Sequence, residues 1–580
     1  MRSVDEETSV RRELREQTLS RRRFTALAAA SAMAALSVAC GGSTSAPTAT
    51  AGNKATTAPS GVLATNAPAL ATNATAVTGG ASAPAGSAPT IAAAAATGQP
   101  TKGGTLVYAR NIDAKTLDPH FSAQFSERYM LYLIYNTLVA YDKDFNIVPD
   151  LAASWDVGSD GKTITFHLRP NVKFHDGTDC DAAAVKWNYD RILDPKVNAP
   201  VRTQVQPPLK SVDVVDKTTV RFNLDQPWRP LLAALGERPG FIISPTAAQK
   251  FGQDFGRNPV GSGPFKFVEW VTDNHITIQR FDGYWDQGKP YLDKIEMRHV
   301  PDSQVQLTQI RTGEAQLIDS IAPSLLSTLK GVQGVAIEEL KSARFWGTQC
   351  HNDRPPFDNP DLRQAIAYAT NAEEIKQAIF SNNGRIATHP LGGGWAYDPS
   401  LDSQGYMFDL NKAKAALTKA GAAGKSFTFT ASSDRQNQDL AQVLQVQYQK
   451  LGIMVQIESV NPADGFTLVK QGKTNWTATN WAPRADPDGL LRILWHSKGF
   501  QNTTGFNNPE VDKLLDQAAG IYDTKQAADI YHQVEKIIVA DASYVFFEWP
   551  SEFAARRTEV RNFVYHPDLI LRLRDLYIAK

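Results

Sequence analysis

Hydrophobic and polar residues alternate from Thr163 to Leu168, which puts Ile164, Phe166 and Leu168 on one side of an extended chain. That is the period of a strand with one buried face. Asp160-Gly161 ahead of it predicts a hairpin turn, since glycine takes positive φ without a Cβ clash. Val172 and Phe174 continue on one face, Asp176-Gly177 turns again, and Asp181 is placed to N-cap a helix carrying Val185, Trp187, Tyr189 and Ile192. Asp213 to Leu224 repeats the device: Asp216-Lys217 turns, then Val220, Phe222 and Leu224 alternate. Together these predict a small antiparallel sheet in an inserted domain spanning 146–260. Gly261-Ser262-Gly263-Pro264 marks its end, and strands resume at Phe265 to Trp270 and Ile276 to Arg280.

From about residue 345 the rhythm becomes strand and helix in turn. Asn359-Pro360 reads as a cap and first-turn proline, with Leu362, Ile366 and Ala369 on one helix face. Asn371 and Glu374 have capping-box spacing, and Asp409 opens a helix that Gly421 closes. Phe427–Phe429, a helix bearing Leu440, Leu444 and Leu451, and Val455–Ile457 form a strand–helix–strand unit. The expected fold is α/β with two lobes, a hinge and a cleft, plus the inserted antiparallel-sheet domain. Domain I takes 101–145, 261–345 and 546–580, domain II takes 146–260, and domain III takes 346–545.

The first hundred residues are of another kind. Ser20-Arg21-Arg22-Arg23-Phe24 fits a twin-arginine export pattern, and the apolar run Ala26 to Ala39 is too short to span a bilayer that needs about 20 helical residues. Residues 1–39 therefore read as a signal segment. Cys40, after Ser37-Val38-Ala39 and before Gly41-Gly42, resembles a lipoprotein processing site, although Ser37 stands where Leu or a similar residue is usual. Two readings stand: a lipidated Cys40, or an ordinary cleaved signal with an incidental cysteine. Residues 40–100 are rich in Ala, Thr, Pro, Gly and Ser, with Lys54 the only charge, and cannot bury enough apolar surface to order themselves. They read as a tether with a mean reach of roughly 40 Å.

Sixty basic and sixty acidic residues balance, so composition offers no basis for binding nucleic acid. Beyond Cys40 only Cys180 and Cys350 remain, expected as separate buried thiols. The sequence has no CxxC or HExxH, and its ten histidines are scattered, so no metal or other cofactor is expected. It also lacks GxSxG and GxxxxGK[ST], so neither a nucleophile elbow nor a built-in ATPase is expected.

The block SDGKTITFHLRPNVKFHDGTDCDAAAVKWNYDRILDP resembles the signature region of the family 5 extracytoplasmic solute-binding proteins, the peptide- and nickel-type receptors of ATP-driven importers. GGTLVYARNIDAKTLDPH, YNTLVAYDKDFNIVPDLAASW, VGSGPFKFVEW, FDGYWDQGKPYLDKIEMRHVPD, PPFDNPDLRQAIAYATN and WAPRADPDG follow the family's order and carry the resemblance from residue 101 onward. It implies a periplasmic-binding-protein-like fold of type II, cluster C, without catalysis. It also implies a monomer on the outer face of the cytoplasmic membrane that takes a small-molecule or peptide ligand and docks with permease and ATPase subunits. Cleft-lining segments carried over from the family contribute Phe121, Ser122, Gln124 and Phe125; Phe345 and Trp346; and Trp481, Arg484 and Asp486, with Trp395 as a further aromatic.

Set against that, an aromatic in an alternating strand is core more often than ligand contact, so Trp346 and Trp481 read as core before they read as cleft. Trp285 reads as core packing and Asp118 as a turn residue. Peptide-binding relatives place an acid a few positions after the tryptophan that matches Trp481, to meet the peptide's amino group. Here that neighbourhood carries Arg484, which selects an anionic or acceptor-rich ligand or pairs with Asp486 or Asp488 at the rim. The rival readings are a secreted hydrolase using Asp486 and Asp488 as an acid–base pair, and a surface sensor on the same fold.

Overall fold

The computed structural model describes residues 100–206 and 208–580. The signal segment, Cys40 and the tether up to residue 99 lie outside them. Among the described residues are three large sheets. Seven strands lie in the order Val335–Lys341, Ser551–Arg557, Leu317–Ile318, Thr105–Arg110, Lys294–His299, His275–Arg280 and Phe265–Val271. Five lie in the order Met454–Val460, Ser426–Ser432, Trp476–Trp481, Phe345–Cys350 and Tyr544–Glu548, and four in the order Ala152–Val157, Thr163–Leu168, Thr219–Leu224 and Leu209–Asp216.

The four-stranded sheet follows from the alternation. Ile164, Phe166 and Leu168 are buried and their neighbours are not. Ile164 sits opposite Phe222, and Phe166 meets Phe222 edge-on at 5.0 Å. Asp181 accepts from the N–H groups of Ala183 and Ala184, starting the helix Ala182–Leu193. Val185, Tyr189 and Ile192 pack on this sheet, but Trp187 packs against the core of the seven-stranded sheet instead. At 3.6 residues per turn, Trp187 falls off the stripe that contains Val185 and Tyr189. Gly261 and Gly263 let the returning chain lie against the helix Arg128–Ile134: an added Cβ would stand 2.2 Å from the Ile134 carbonyl oxygen at Gly261 and 2.6 Å from its carbonyl carbon at Gly263.

The five-stranded sheet carries helices on both faces, so its inner strand Phe345–Cys350 is buried throughout. Ser426–Ser432 and Met454–Val460 run parallel across the helix Arg435–Leu451, as a strand–helix–strand unit must. The chain passes between the seven- and five-stranded sheets twice, from Lys341 to Phe345 and from Glu548 to Ser551. The two passages touch where the Ser342 N–H donates to the Pro550 carbonyl. The boundary expected at 545/546 falls inside the strand Tyr544–Glu548, which pairs with Phe345–Cys350, so the strand stays whole in the five-stranded lobe. Cys180 and Cys350 are free and buried in different cores, and burial pushes the Cys350 thiol up to about 12.

Candidate functional site

The turn from Trp481 to Asp488 leaves the end of a central strand and runs into the helix Asp488–Trp495. Asp486 Oδ1 accepts from the Asp488 N–H at 3.0 Å and shapes the turn. Asp488 is bound by Arg492 one helical turn on, at 2.8 Å, and Arg492 also reaches Asp516 at 2.7 Å. Asp486 pairs with Arg229 of the inserted domain. Both acids are therefore occupied by other arginines. Arg484, half-buried, makes no hydrogen bond or ion pair with any described residue, so the expected rim pairing is absent.

Trp395 lies beside the turn and donates its indole N–H to the Ala485 carbonyl at 3.1 Å. The Trp481 indole N–H is buried without a partner. Phe345 and Trp346 are placed differently. Phe345 has no exposed surface and packs against Trp495 and Phe546, while Trp346 packs edge-on to Phe380 on the other face. A strand covered on both faces sends successive side chains into two cores, so the expected ligand contacts at these two positions are core contacts here.

Across from the turn, the loop from Phe121 to Phe125 is tied down by its own neighbours. Ser122 donates to Glu127 at 2.6 Å and accepts from Arg238 at 3.1 Å. The Gln124 N–H donates to Glu127 at 3.0 Å, and its carbonyl accepts from Arg238 at 2.7 Å. Phe125 packs edge-on to Tyr129. Phe121 and Ala123 are exposed, and the Arg191 guanidinium lies 5.3 Å from the Phe121 ring centre. Asp118 does make the turn, accepting from the His120 N–H, but it is also buried and held by Arg191 at 2.6 Å. Burial pushes the adjacent His120 down to about 4.

Buried charges lie beneath this loop. Arg128 meets Asp568 at 3.1 Å and Glu237 at 3.5 Å, and Arg572 meets Asp568 at 2.6 Å. Burial raises the Glu237 carboxyl, but Arg128, Arg484 and Arg238 outweigh it and hold it below its ordinary range. Burial and the repulsion of Arg128 lower Arg238 to about 10, with Arg484 adding to the repulsion. The field of Arg484 thus crosses from the five-stranded lobe to Glu237 and to Arg238, which anchors the Phe121–Phe125 loop. The geometry brings Arg484, Trp395 and Trp481 to one wall and the Arg238-anchored loop to the other. Sequence reasoning missed Arg229, Glu237 and Arg238. Arg229 and Arg238 each adjoin a proline, and none of the three belongs to a periodic pattern that could have flagged it.

Residues 146–502 match the family model for bacterial extracellular solute-binding proteins, family 5. The chain belongs to that family. It is 31% identical over 480 residues to a probable D,D-dipeptide-binding periplasmic protein, DdpA, of Escherichia coli K12, covering 80% of this chain and 92% of that one. It is 30% identical over 473 residues to the glutathione-binding protein GsiB of Pectobacterium atrosepticum, covering 79% and 91%. Helicobacter pylori DppA, solved with the peptide STSA, superposes with a TM-score of 0.74 at 28% identity, over 83% of this chain and 99% of that one. AgaA of A. tumefaciens R10, solved with agropinic acid, gives 0.72 at 27%, over 82% and 99%. The fold is therefore the two-lobed cluster C arrangement, and the protein is a solute-binding component of an ABC transporter rather than an enzyme. The hydrolase reading also lacks a free acid pair, because Asp486 and Asp488 are each held by an arginine.

Proposed function

We propose that this receptor captures a small solute carrying a carboxylate, peptide-like or glutathione-like, and delivers it to an ATP-driven importer. Arg484 carries the reading. It is a half-buried guanidinium beside a turn whose two acids already have other partners, facing a wall in which Glu237 is already engaged by Arg128. Such a cation is best satisfied by a bidentate oxyanion brought by the solute. Trp481 offers its unpartnered indole N–H, and Trp395 and Phe121 offer apolar walls. Relatives that bind D,D-dipeptides, glutathione, a tetrapeptide and agropinic acid are consistent with a ligand of this class.

The rest of the proposal concerns the setting. The first lobe comprises 101–145, 261–344 and 549–580, the inserted domain 146–260, and the second lobe 345–548. The receptor leaves the cytoplasm by the twin-arginine route, is lipidated at Cys40, and sits as a monomer on a flexible tether at the outer face of the cytoplasmic membrane, where permease and ATPase subunits are its partners. Native mass spectrometry of freshly purified protein tests the ligand class, and a bound species without an anionic group would refute it. Membrane fractionation of Cys40→Ser tests the anchor, which fails as a reading if that variant still sediments with membranes after signal cleavage.

A further inference from the structure

Arg229 stands beside the short helix Pro230–Ala234 in the inserted domain, yet every hydrogen bond it donates ends in the other lobe. Its backbone N–H donates to the Ala519 carbonyl at 2.8 Å. Nε donates to the Ile521 carbonyl at 2.9 Å, one terminal nitrogen to the Tyr531 hydroxyl at 2.8 Å, and the other to Asp486. The Trp395 ring covers the guanidinium, with its centre 4.6 Å away, and the residue is only 5% exposed. A guanidinium removed from water, with an acid, two neutral acceptors and an aromatic face around it, is held far more firmly than a surface ion pair.

The socket is built without help from Arg229. Asp486 is fixed by the Asp488 N–H, Tyr531 lies 3.4 Å from Asp488, and Trp395 bonds the Ala485 carbonyl. Plug and socket are joined covalently only through the two passages at Lys341–Phe345 and Glu548–Ser551. Any opening about those passages must draw Arg229 out of its socket. The neighbouring contacts on the same seam are looser: Tyr522 donates to the Gly161 carbonyl at 3.2 Å, and Arg492 lies over the Trp228 ring at 4.7 Å.

We propose that Arg229 is the closure latch of this receptor, a positioning residue whose insertion between Asp486, Tyr531 and Trp395 holds the lobes together and sets how long a captured solute stays. Arg484 and Asp486 lie two residues apart on one turn, so a solute on Arg484 and the latch on Asp486 order the same backbone, and each favours the other. That coupling rests on the reading of Arg484 given above. The latch itself does not.

Spin labels on Val215→Cys and Met454→Cys, exposed on edge strands of the inserted and five-stranded sheets, report the lobe separation by pulsed electron paramagnetic resonance. Cys180 and Cys350 are buried, and all labelled proteins also carry Cys40→Ser so that no third thiol takes up label. The full chain is measured in buffer alone and with glutathione added. The wild type is expected to show a short-distance population in at least one of the two conditions. Arg229→Ala and Asp486→Asn should each lower its ratio to the long-distance population about tenfold or more, as for breaking a desolvated charge pair. The double variant should go no further than either single one. Arg229→Gln replaces Arg229→Ala if the latter does not fold. Unchanged distributions in both single variants, effects that simply add, or a wild type with no short-distance population in either condition would overturn the latch. Glutathione that leaves the wild-type distribution unmoved counts against a glutathione-like solute only, because the latch is read from the difference between wild type and variants.

Discussion

The two walls of the cleft treat their arginines in opposite ways. Beneath the Phe121–Phe125 loop, Arg128 and Arg572 share Asp568, Arg128 also meets Glu237, and Arg238 binds Ser122 and Gln124. Every charge on that wall answers another charge or a backbone group of the same wall. On the facing turn, Asp486 and Asp488 are occupied by Arg229 and Arg492, and Arg484 has no such partner. A buried charge whose partners come from the fold contributes to holding the fold, whereas one left without a partner is available to a ligand. Substitutions on the two walls should therefore separate stability from affinity.

The largest effect should come from the satisfied wall. Arg128→Ala leaves Asp568 with Arg572 alone and takes from Glu237 the arginine that does most to offset its burial, so it should cost about 3–5 kcal/mol of folding stability. Denaturant unfolding measures this, and a cost below about 1 kcal/mol would show that the cluster is not what it looks like. Arg484→Ala should do the reverse. Folding stability should change by less than about 0.5 kcal/mol, while affinity for a carboxylate-bearing solute such as glutathione should fall by about 2–5 kcal/mol. Isothermal titration of glutathione and of a neutral analogue decides it. Equal losses for both would end the anion-selecting role.

Glu548 sharpens the comparison, because it is a buried acid that no arginine pairs with; Lys376 and Arg385 act on it only through their fields. Both its oxygens lack hydrogen-bond partners, and an added Cβ on Gly384 would stand 2.1 Å from one of them. Burial pushes this carboxyl up to about 8. It is therefore protonated in the folded protein at neutral pH but ionised in the unfolded chain above about 4.3. The stability it allows is complete below the unfolded value and is lost as pH rises towards about 8, at up to ~1.4 kcal/mol per pH unit. Glu548→Gln should remove that slope and make the protein more stable at pH 8. Parallel wild-type and variant curves from pH 5 to about 9 would contradict this. The smallest effect should come from trimming the chain to begin at Thr101. Residues 41–99 contain no aromatic residue to pack on the lobes, so melting temperature and glutathione affinity should both stay where they are.

Much of the fold was legible because its signals are local. Asp181, Asn371 and Asp409 cap their helices within two or three residues of themselves, where a short side chain can reach the free N–H groups. The strand Thr163–Leu168 shows in alternation alone, since period 2 depends only on strand geometry. The family's order of motifs indicated a two-lobed receptor for the same reason: each motif is a contiguous stretch. Legibility failed where side chains meet across the fold. Phe345 looks like a cleft residue in a list of motifs, and Trp346 could be read either way with core favoured; the helices on both sides of their strand make both core.

Within one short turn the sequence offered Asp486 and Asp488 as partners for Arg484. The fold instead brings Arg229, 257 residues away, to Asp486, and gives Asp488 to Arg492. Alternation, caps and turn residues are properties of neighbours along the chain, and the sequence by itself determined them. Which charge meets which depends on where three sheets from distant stretches come to rest, and desolvation makes those distant pairings strong, so only the tertiary structure decided them.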